Sequence, residues 1–306
     1  MGRTSFAIAF LTALFLLAVV HPCCGETTAD EDYQQGLQLL KEEKLDEAIS
    51  QFKKAIEREP SRADFHQSLA HAYAKKRMLK EAVEEYNKYL ELNPGDIQAH
   101  NNLGILYDNM DMLNEAIAEY KKAMEIDPGY VEAYNNMSVV YMKGGLNVEA
   151  RQTLEKALEI DPNHSKAHYN IGIVYSRMGV LDNAVAEYKK AISLDPEYIE
   201  AYNNLGILLE RMNKDDEAVE QWKKAIESDP KHPDAYYNLG AFYFNRQMWE
   251  ETLSLWTRLV EITPEDPWAH WRLAAVLHRM GKTDQAKEEQ ETFKKLMEKS
   301  GKPEGG

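Results

Sequence analysis

Apolar residues in the body of the chain recur at the three- and four-residue spacing of amphipathic helices, in short segments separated by polar turns. Between residues 98 and 110, Leu103 and Tyr107 follow this spacing, and between 114 and 126 Tyr120 and its apolar neighbours do the same. The pattern predicts two short helices joined by a turn. The same two-helix pattern returns along most of the chain.

Several residue types recur at one fixed interval, which is the spacing between Pro60 and Pro94. No insertion interrupts this spacing. Prolines mark the end of each period, alanines mark its middle, and small residues mark its first helix. The prolines are Pro60, Pro94, Pro128, Pro162, Pro196, Pro230 and Pro264, and the small residues are Gly36, Ala70, Gly104, Ser138, Gly172, Gly206, Gly240 and Ala274.

This period and pattern resemble the tetratricopeptide repeat (TPR) over residues 29–298. The resemblance implies an all-α, right-handed superhelical solenoid of eight helix-turn-helix repeats, numbered below as positions 1 to 34 of each repeat. The repeats are 29–62, 63–96, 97–130, 131–164, 165–198, 199–232, 233–266 and 267–298.

Within a repeat, the small residue at position 8 lets the helices approach closely, and a large residue at position 24 fills the space beside them. Position 15 follows the first helix and is predicted to be left-handed, at Asp111, Gly145, Gly179, Asn213 and Gly281. The last repeat lacks the position-24 aromatic and the terminal proline, so its polar second helix is predicted to be a cap. Residues 299–306 are predicted to be a disordered tail.

Residues 1–25 have the features of a secretory signal peptide. A positive charge at Arg3 precedes an apolar run from Ser5 to Val20, and the small residues before Glu26 suit cleavage near Gly25. An uncleaved membrane anchor and lipid attachment at Cys23 or Cys24 are the alternatives. The sequence therefore predicts a location outside the cytoplasm, in a periplasm, cell envelope or secretory pathway.

The net charge of −15 comes from 36 basic and 51 acidic residues, and a chain this acidic repels phosphate backbones. Nucleic acid is excluded as a predicted partner. The composition, 44% hydrophobic and 28% charged, is that of a folded chain. Membrane contact is expected only through the N-terminal anchor or lipid.

The sequence contains no motif for catalysis, metal binding or phosphate binding. The repeats leave no room for a catalytic domain. The sequence thus predicts no enzyme, no cofactor, no metal and no small-molecule substrate. Four histidines share position 4, where other repeats have tyrosine, which favours a packing role. They are His66, His100, His168 and His270.

The first helices are expected to line the concave side of the solenoid, with positions 2, 5, 6, 9, 12 and 13 facing inward. Position 6 is asparagine in five successive repeats, and such a column costs helix propensity without an evident need in folding. The column resembles the inner face of the repeat domain of O-linked N-acetylglucosamine transferases, whose asparagines clamp peptide backbone. We call it the amide ladder: Asn102, Asn136, Asn170, Asn204 and Asn238.

Two further groups are candidates for the groove. A basic stripe at position 13 includes Lys143, Arg177 and Arg211, which helix-dipole stabilisation alone also explains. Near the C-terminal end, aromatic residues and an arginine are typical of binding hot spots, although packing under the last helix is the alternative. We call this group the aromatic end: Tyr237, Phe244, Trp268, Trp271 and Arg272.

The sequence therefore predicts a non-enzymatic scaffold that holds protein or peptide segments in its concave groove. A structural self-assembly module and an accessory subunit of an envelope or secretory-pathway enzyme are the alternative functions.

Overall fold

The computed structural model describes residues 27–300, which form sixteen α-helices and no β-strand. The predicted signal peptide and lipid-attachment cysteines lie outside this range. The predicted tail also lies outside it, except for its first two residues. The helices are grouped in two compact bodies that divide after Leu92. In each body consecutive helices pack as antiparallel hairpins, which confirms the predicted all-α solenoid class.

The N-terminal body contains two repeats, with helices α1 (Ala29–Lys41), α2 (Leu45–Arg58), α3 (Ala63–Lys75) and α4 (Leu79–Leu92). The C-terminal body contains six, with helices α5 (Ile97–Asn109), α6 (Leu113–Ile126), α7 (Val131–Lys143), α8 (Asn147–Ile160), α9 (Ser165–Arg177), α10 (Leu181–Leu194), α11 (Ile199–Arg211), α12 (Asp215–Ser228), α13 (Pro233–Asn245), α14 (Trp249–Ile262), α15 (Pro267–Arg279) and α16 (Thr283–Ser300).

Local backbone preferences set where these helices begin and end. Each predicted left-handed residue at position 15 has a positive φ, between 58° and 77°. Three residues not singled out from the sequence, Glu43, Arg77 and Gln247, adopt the same conformation at that position. The last helix continues through Ser300, so the prediction of a disordered tail from residue 299 is wrong for its first two residues.

A close contact between positions 8 and 24 joins the two helices in the five repeats that have glycine at position 8 and an aromatic ring at position 24. In repeat 6 a Cβ added to Gly206 would lie 2.5 Å from Nε1 of Trp222, and in repeat 3 one on Gly104 would lie 2.6 Å from the Tyr120 ring. These distances are shorter than real Cβ contacts, so a ring occupies the space where a side chain would stand. Trp222 and Trp256 are buried there, as predicted.

The core continues from one repeat to the next inside the C-terminal body. One cluster joins Tyr188 of α10, Leu205 and Leu208 of α11, Trp222 of α12 and Phe242 of α13. Each hairpin therefore covers an apolar face of its neighbour, as a repeat array requires.

The four position-4 histidines have the predicted packing role. In repeat 5, Nε2 of His168 lies 3.0 Å from the carbonyl oxygen of Pro162 in the preceding turn, and Nδ1 lies 2.6 Å from Oε2 of Glu187 at position 23. A carbonyl only accepts, so Nε2 donates, and a second proton is needed between Nδ1 and the carboxylate. The three other histidines make the same two contacts, and Tyr134 and Tyr236 donate to the equivalent proline carbonyls.

This geometry predicts a pH-dependent contribution of His168 to stability. Burial lowers the pKa of its imidazole, but the hydrogen bonds to Glu187 and to the Pro162 carbonyl outweigh burial, so the net pKa is raised. A raised pKa in the folded state stabilises the protein fully below the unfolded pKa of about 6.5, and the contribution is lost as pH rises through the folded pKa.

We expect the urea midpoint of the wild-type protein to fall more between pH 6 and pH 8 than that of His168→Tyr, which copies the other repeats. Because the three remaining histidine pairs are present in both proteins, the difference isolates His168. Parallel pH profiles of the two proteins would contradict the assignment.

Candidate functional site

The inner face of the C-terminal body is formed by the first helices of its repeats, at positions 5, 6, 9, 12 and 13. Successive repeats are joined there by a contact from position 6 of one repeat to position 5 of the one before. Nδ2 of Asn136 donates to Oδ1 of Asn101 at 2.9 Å, and Nδ2 of Asn170 donates to Oδ1 of Asn135 at 2.8 Å. Nδ2 of Asn204 donates to the Tyr169 hydroxyl at 2.9 Å.

These bonds correct the expectation that the amide ladder is an exposed column with no part in folding. Asn170 is buried, and the other four asparagines are half-buried. An amide with one N–H engaged keeps a second N–H and further acceptor capacity, so stacking uses only part of each side chain. The ladder is thus both a repeat-to-repeat contact and a row of amides along the inner face.

The row of contacts is interrupted between repeats 6 and 7. Asn203 occupies position 5 and is buried, yet neither Oδ1 nor Nδ2 has a hydrogen-bond partner among the described residues. The side chain of Asn238, the position-6 residue that the pattern pairs with it, makes no hydrogen bond to another group of residues 27–300. At the next junction Arg272 instead lies 4.2 Å from the ring centre of Tyr237. Asn238 is therefore the ladder amide that stacking leaves unused.

The basic stripe makes a second row of contacts between successive repeats, two helical turns along the same face. Nζ of Lys143 donates to Asp108 at 2.7 Å, and Nη1 of Arg177 donates to the Met142 carbonyl at 2.8 Å. Nη1 of Arg211 lies 3.3 Å from Oγ of Ser176. Cross-repeat bonding, rather than the helix dipole alone, accounts for these cations, and the arginines keep further N–H groups available.

Sequence reasoning missed an aliphatic column at position 9, between the two rows. Its members are Ile105, Val139, Ile173 and Ile207, of which the first and last are exposed. In repeats 5 and 6 the three rows meet around a cavity of about 310 Å³, lined by Asn204, Arg177, Arg211, Ile173 and Ile207 among others. The recurrence of a branched aliphatic residue at one inward position of successive repeats is the signal that would have revealed the column.

The aromatic end divides into surface residues and one packed residue. Tyr237, Trp268 and Trp271 are 40–50% exposed. Trp268 contacts both Trp271, at 6.2 Å between ring centres, and Phe293 of the last helix. Phe244 instead stacks on Trp256 and touches Trp249 inside its own repeat, which separates it from the predicted surface. Packing under the last helix therefore accounts for one side of the Trp268 ring, whereas the Trp271 side chain remains half exposed.

Two other kinds of site are absent from the described part of the chain. No group of three or more histidine, cysteine, aspartate or glutamate side chains within residues 27–300 is arranged to hold a metal ion. None of the sixteen described helices has the length and apolar character needed to cross a membrane.

Comparison with known families agrees with the repeat geometry. Models of tetratricopeptide repeat families match residues 33–97, 85–118, 110–170, 178–213 and 211–247. The chain belongs to the tetratricopeptide repeat family. As a TPR protein it is a protein–protein interaction scaffold.

Two solved structures share the fold, and a third is similar in sequence over part of the chain. A tetratricopeptide repeat protein from Parabacteroides merdae is 18% identical, covers 81% of this chain and 98% of its own, with a TM-score of 0.66. PilF of Pseudomonas aeruginosa is 20% identical, with coverages of 68% and 94% and a TM-score of 0.55. YrrB, described as a TPR protein with an unusual peptide-binding site, is 29% identical, with coverages of 61% and 96% and a TM-score of 0.46. A search of curated protein sequences finds no match.

The two kinds of ladder residue predict different effects on stability. Asn170→Ala removes the bond to Asn135 and leaves a buried acceptor unpaired, which costs about 1 to 3 kcal/mol. Asn238→Ala removes no hydrogen bond and places a better helix former on α13, so the free energy of unfolding should be unchanged or slightly higher. Urea denaturation of both variants measures the difference, and equal losses would show that the cross-repeat bond contributes nothing.

Proposed function

We propose that the inner face of the C-terminal body binds an extended, acidic segment of a partner protein, outside the cytoplasm and without catalysis. The observation that carries the proposal is the cavity between repeats 5 and 6. There, an amide, two arginines and two isoleucines line one space of about 310 Å³.

Each row of the inner face supplies a different part of peptide recognition. The isoleucines offer apolar surface to side chains of the segment. The Asn204 amide offers a donor and an acceptor that match the peptide backbone whatever its sequence. Arg177 and Arg211 stand out in a chain of net charge −15, so the groove favours carboxylate side chains over basic ones.

The aromatic end supports side-chain recognition at the C-terminal end of the same face. Trp271 is 50% exposed, and Arg272 is held over the Tyr237 ring, within a chain whose charge is otherwise mainly acidic. Exposed tryptophan, tyrosine and arginine are the residues that dominate binding energy at protein interfaces. A partner segment long enough to extend from repeat 5 to repeat 8 would be held through its backbone at repeat 5. Its side chains would be recognised by this aromatic group at repeat 8.

The location outside the cytoplasm rests on residues 1–25 alone. Their charge, apolar run and small residues before Glu26 have the order of an export signal.

The experiment begins with short peptides selected from a random library on the immobilised protein, then measured by fluorescence anisotropy. We expect enrichment in aspartate and glutamate beside apolar residues. Arg177→Ala with Arg211→Ala should weaken binding about tenfold or more, since a hydrogen bond to a charged group contributes about 1.5–3 kcal/mol. Arg258→Ala, which removes an exposed arginine from the second helix α14, is the matched control and should bind as wild type.

The same titrations separate the two modes of recognition. Asn204→Ala should weaken all selected peptides to a similar extent, whereas Trp271→Ala should weaken only some of them. If the peptides bind the double arginine variant and the Trp271 variant with wild-type affinity, the inner face is not the binding site.

A further inference from the structure

Two large grooves lie away from the inner face, on the side formed by the second helices. We call them the outer grooves. One, of about 620 Å³, lies between α6 and α8 over α7, and the other, of about 640 Å³, lies between α12 and α14 over α13. Each exceeds the inner cavity in volume. They occupy equivalent places in the repeat pattern, three repeats apart.

The residues at positions 4 and 23 differ between the two groove repeats and the four repeats with a position-4 histidine. In the four repeats with a position-4 histidine, a position-23 glutamate extends to that ring and is bonded to it. In the two groove repeats, position 4 is Tyr134 or Tyr236, and position 23 is Thr153 or Leu255. These shorter or apolar side chains at position 23 line the grooves in place of a paired carboxylate.

The groove of repeats 6 and 7 combines an apolar floor with an acidic rim. Leu239 and Tyr243 of α13 form the floor, and Ile226 and Leu255 form the apolar walls. The exposed rim carries Glu227, Glu250 and Glu251 against the single cation Lys223. Repeats 3 and 4 repeat this arrangement with Met124, Met137 and Tyr141 between Glu125, Glu149, Glu155 and Glu159, with Lys121 and Lys156.

The walls of both grooves select the secondary structure of an occupant. They are ridges of α-helices, whose backbone N–H and C=O groups are already bonded within each helix. An extended peptide would find no free backbone groups on these walls. Apart from the tyrosines, the uncharged polar side chains are only Gln152 and Thr153 in one groove and Ser254 in the other, so most of the peptide's own N–H and C=O groups would stay unpaired. A helix has satisfied its own backbone and can place an i, i+3, i+4, i+7 stripe between two ridges.

We propose that each outer groove binds an amphipathic helix of a partner protein, with an apolar stripe flanked by lysine or arginine. The apolar stripe covers the floor, and the flanking cations meet the glutamates of the rim. These two grooves are thus equivalent outer sites for basic helices, distinct from the inner face that is proposed to bind acidic extended segments.

The repeats themselves supply the variant that tests this proposal. Tyr236→His with Leu255→Glu gives repeat 7 the histidine–glutamate pair that four other repeats contain, so folding should be retained and the groove should close. The change adds a negative charge. If the attraction were only electrostatic, this variant would bind a basic peptide more strongly than the wild type. If binding requires the open groove, closing the groove should abolish binding.

The probe is a labelled helical peptide of leucine and lysine with a length of roughly four helical turns, or about 14 residues. Its control is a scrambled peptide of the same composition. Isothermal titration calorimetry should give two peptides per wild-type chain. One should remain in the repeat-7 variant, and none should remain when Tyr134→His and Thr153→Glu are added. The scrambled peptide should bind at least tenfold more weakly.

Two further variants keep the outcome interpretable. Glu250→Gln with Glu251→Gln changes only exposed rim residues and should weaken the probe and reduce its salt dependence, even if the paired variants fold poorly. Arg177→Ala with Arg211→Ala should leave the probe unaffected, which separates this site from the inner face. Unchanged stoichiometry in the folded four-residue variant, equal binding of the scrambled peptide, or loss of binding in the arginine variant would overturn the proposal.

Discussion

The structure depends on one steric constraint, the contact between a residue of minimal size at position 8 and a large side chain at position 24. In five repeats an aromatic ring lies directly over a glycine. In repeat 4 the pair is Ser138 and Leu154, so a residue larger than glycine at position 8 meets a side chain smaller than an aromatic ring at position 24. The depth of this contact fixes how closely the two helices approach. Because the hairpins that contain this pair close in the same way, equivalent residues of their repeats come into register.

That register gives the inner face its chemistry. Two rows of polar contacts join successive repeats, and a column of isoleucine and valine lies between them. The residues proposed to hold a partner are therefore the residues that hold neighbouring repeats together. The outer grooves lie on the other side of the hairpins, where Thr153 and Leu255 stand at position 23 in place of a glutamate bonded to a histidine.

The sequence predicted the repeats, the left-handed turn residues, the buried tryptophans and the packing role of the histidines because each is set by one hairpin and the turn just before it. The contacts between repeats could not be read in this way. Asn170 and Asn238 share a residue type and a position, yet one is bonded across the junction and the other is not. Phe244 likewise has an inward position but packs on Trp256. The difference between the two asparagines depends on the neighbouring repeat, and the packing of Phe244 depends on the tryptophan rings of its own repeat. The repeat pattern alone specifies neither.

The constraint at positions 8 and 24 is tested most directly by a double-mutant cycle at Gly206 and Trp222. Gly206→Ala should lower the free energy of unfolding by about 1–3 kcal/mol through overpacking, and Trp222→Leu should lower it by creating a cavity. In the double variant the alanine occupies space that the smaller leucine vacates, so the loss should fall short of the sum of the single losses by about 1 kcal/mol or more. Losses that add to within about 0.5 kcal/mol would contradict the account, because they would show that the two positions do not limit each other.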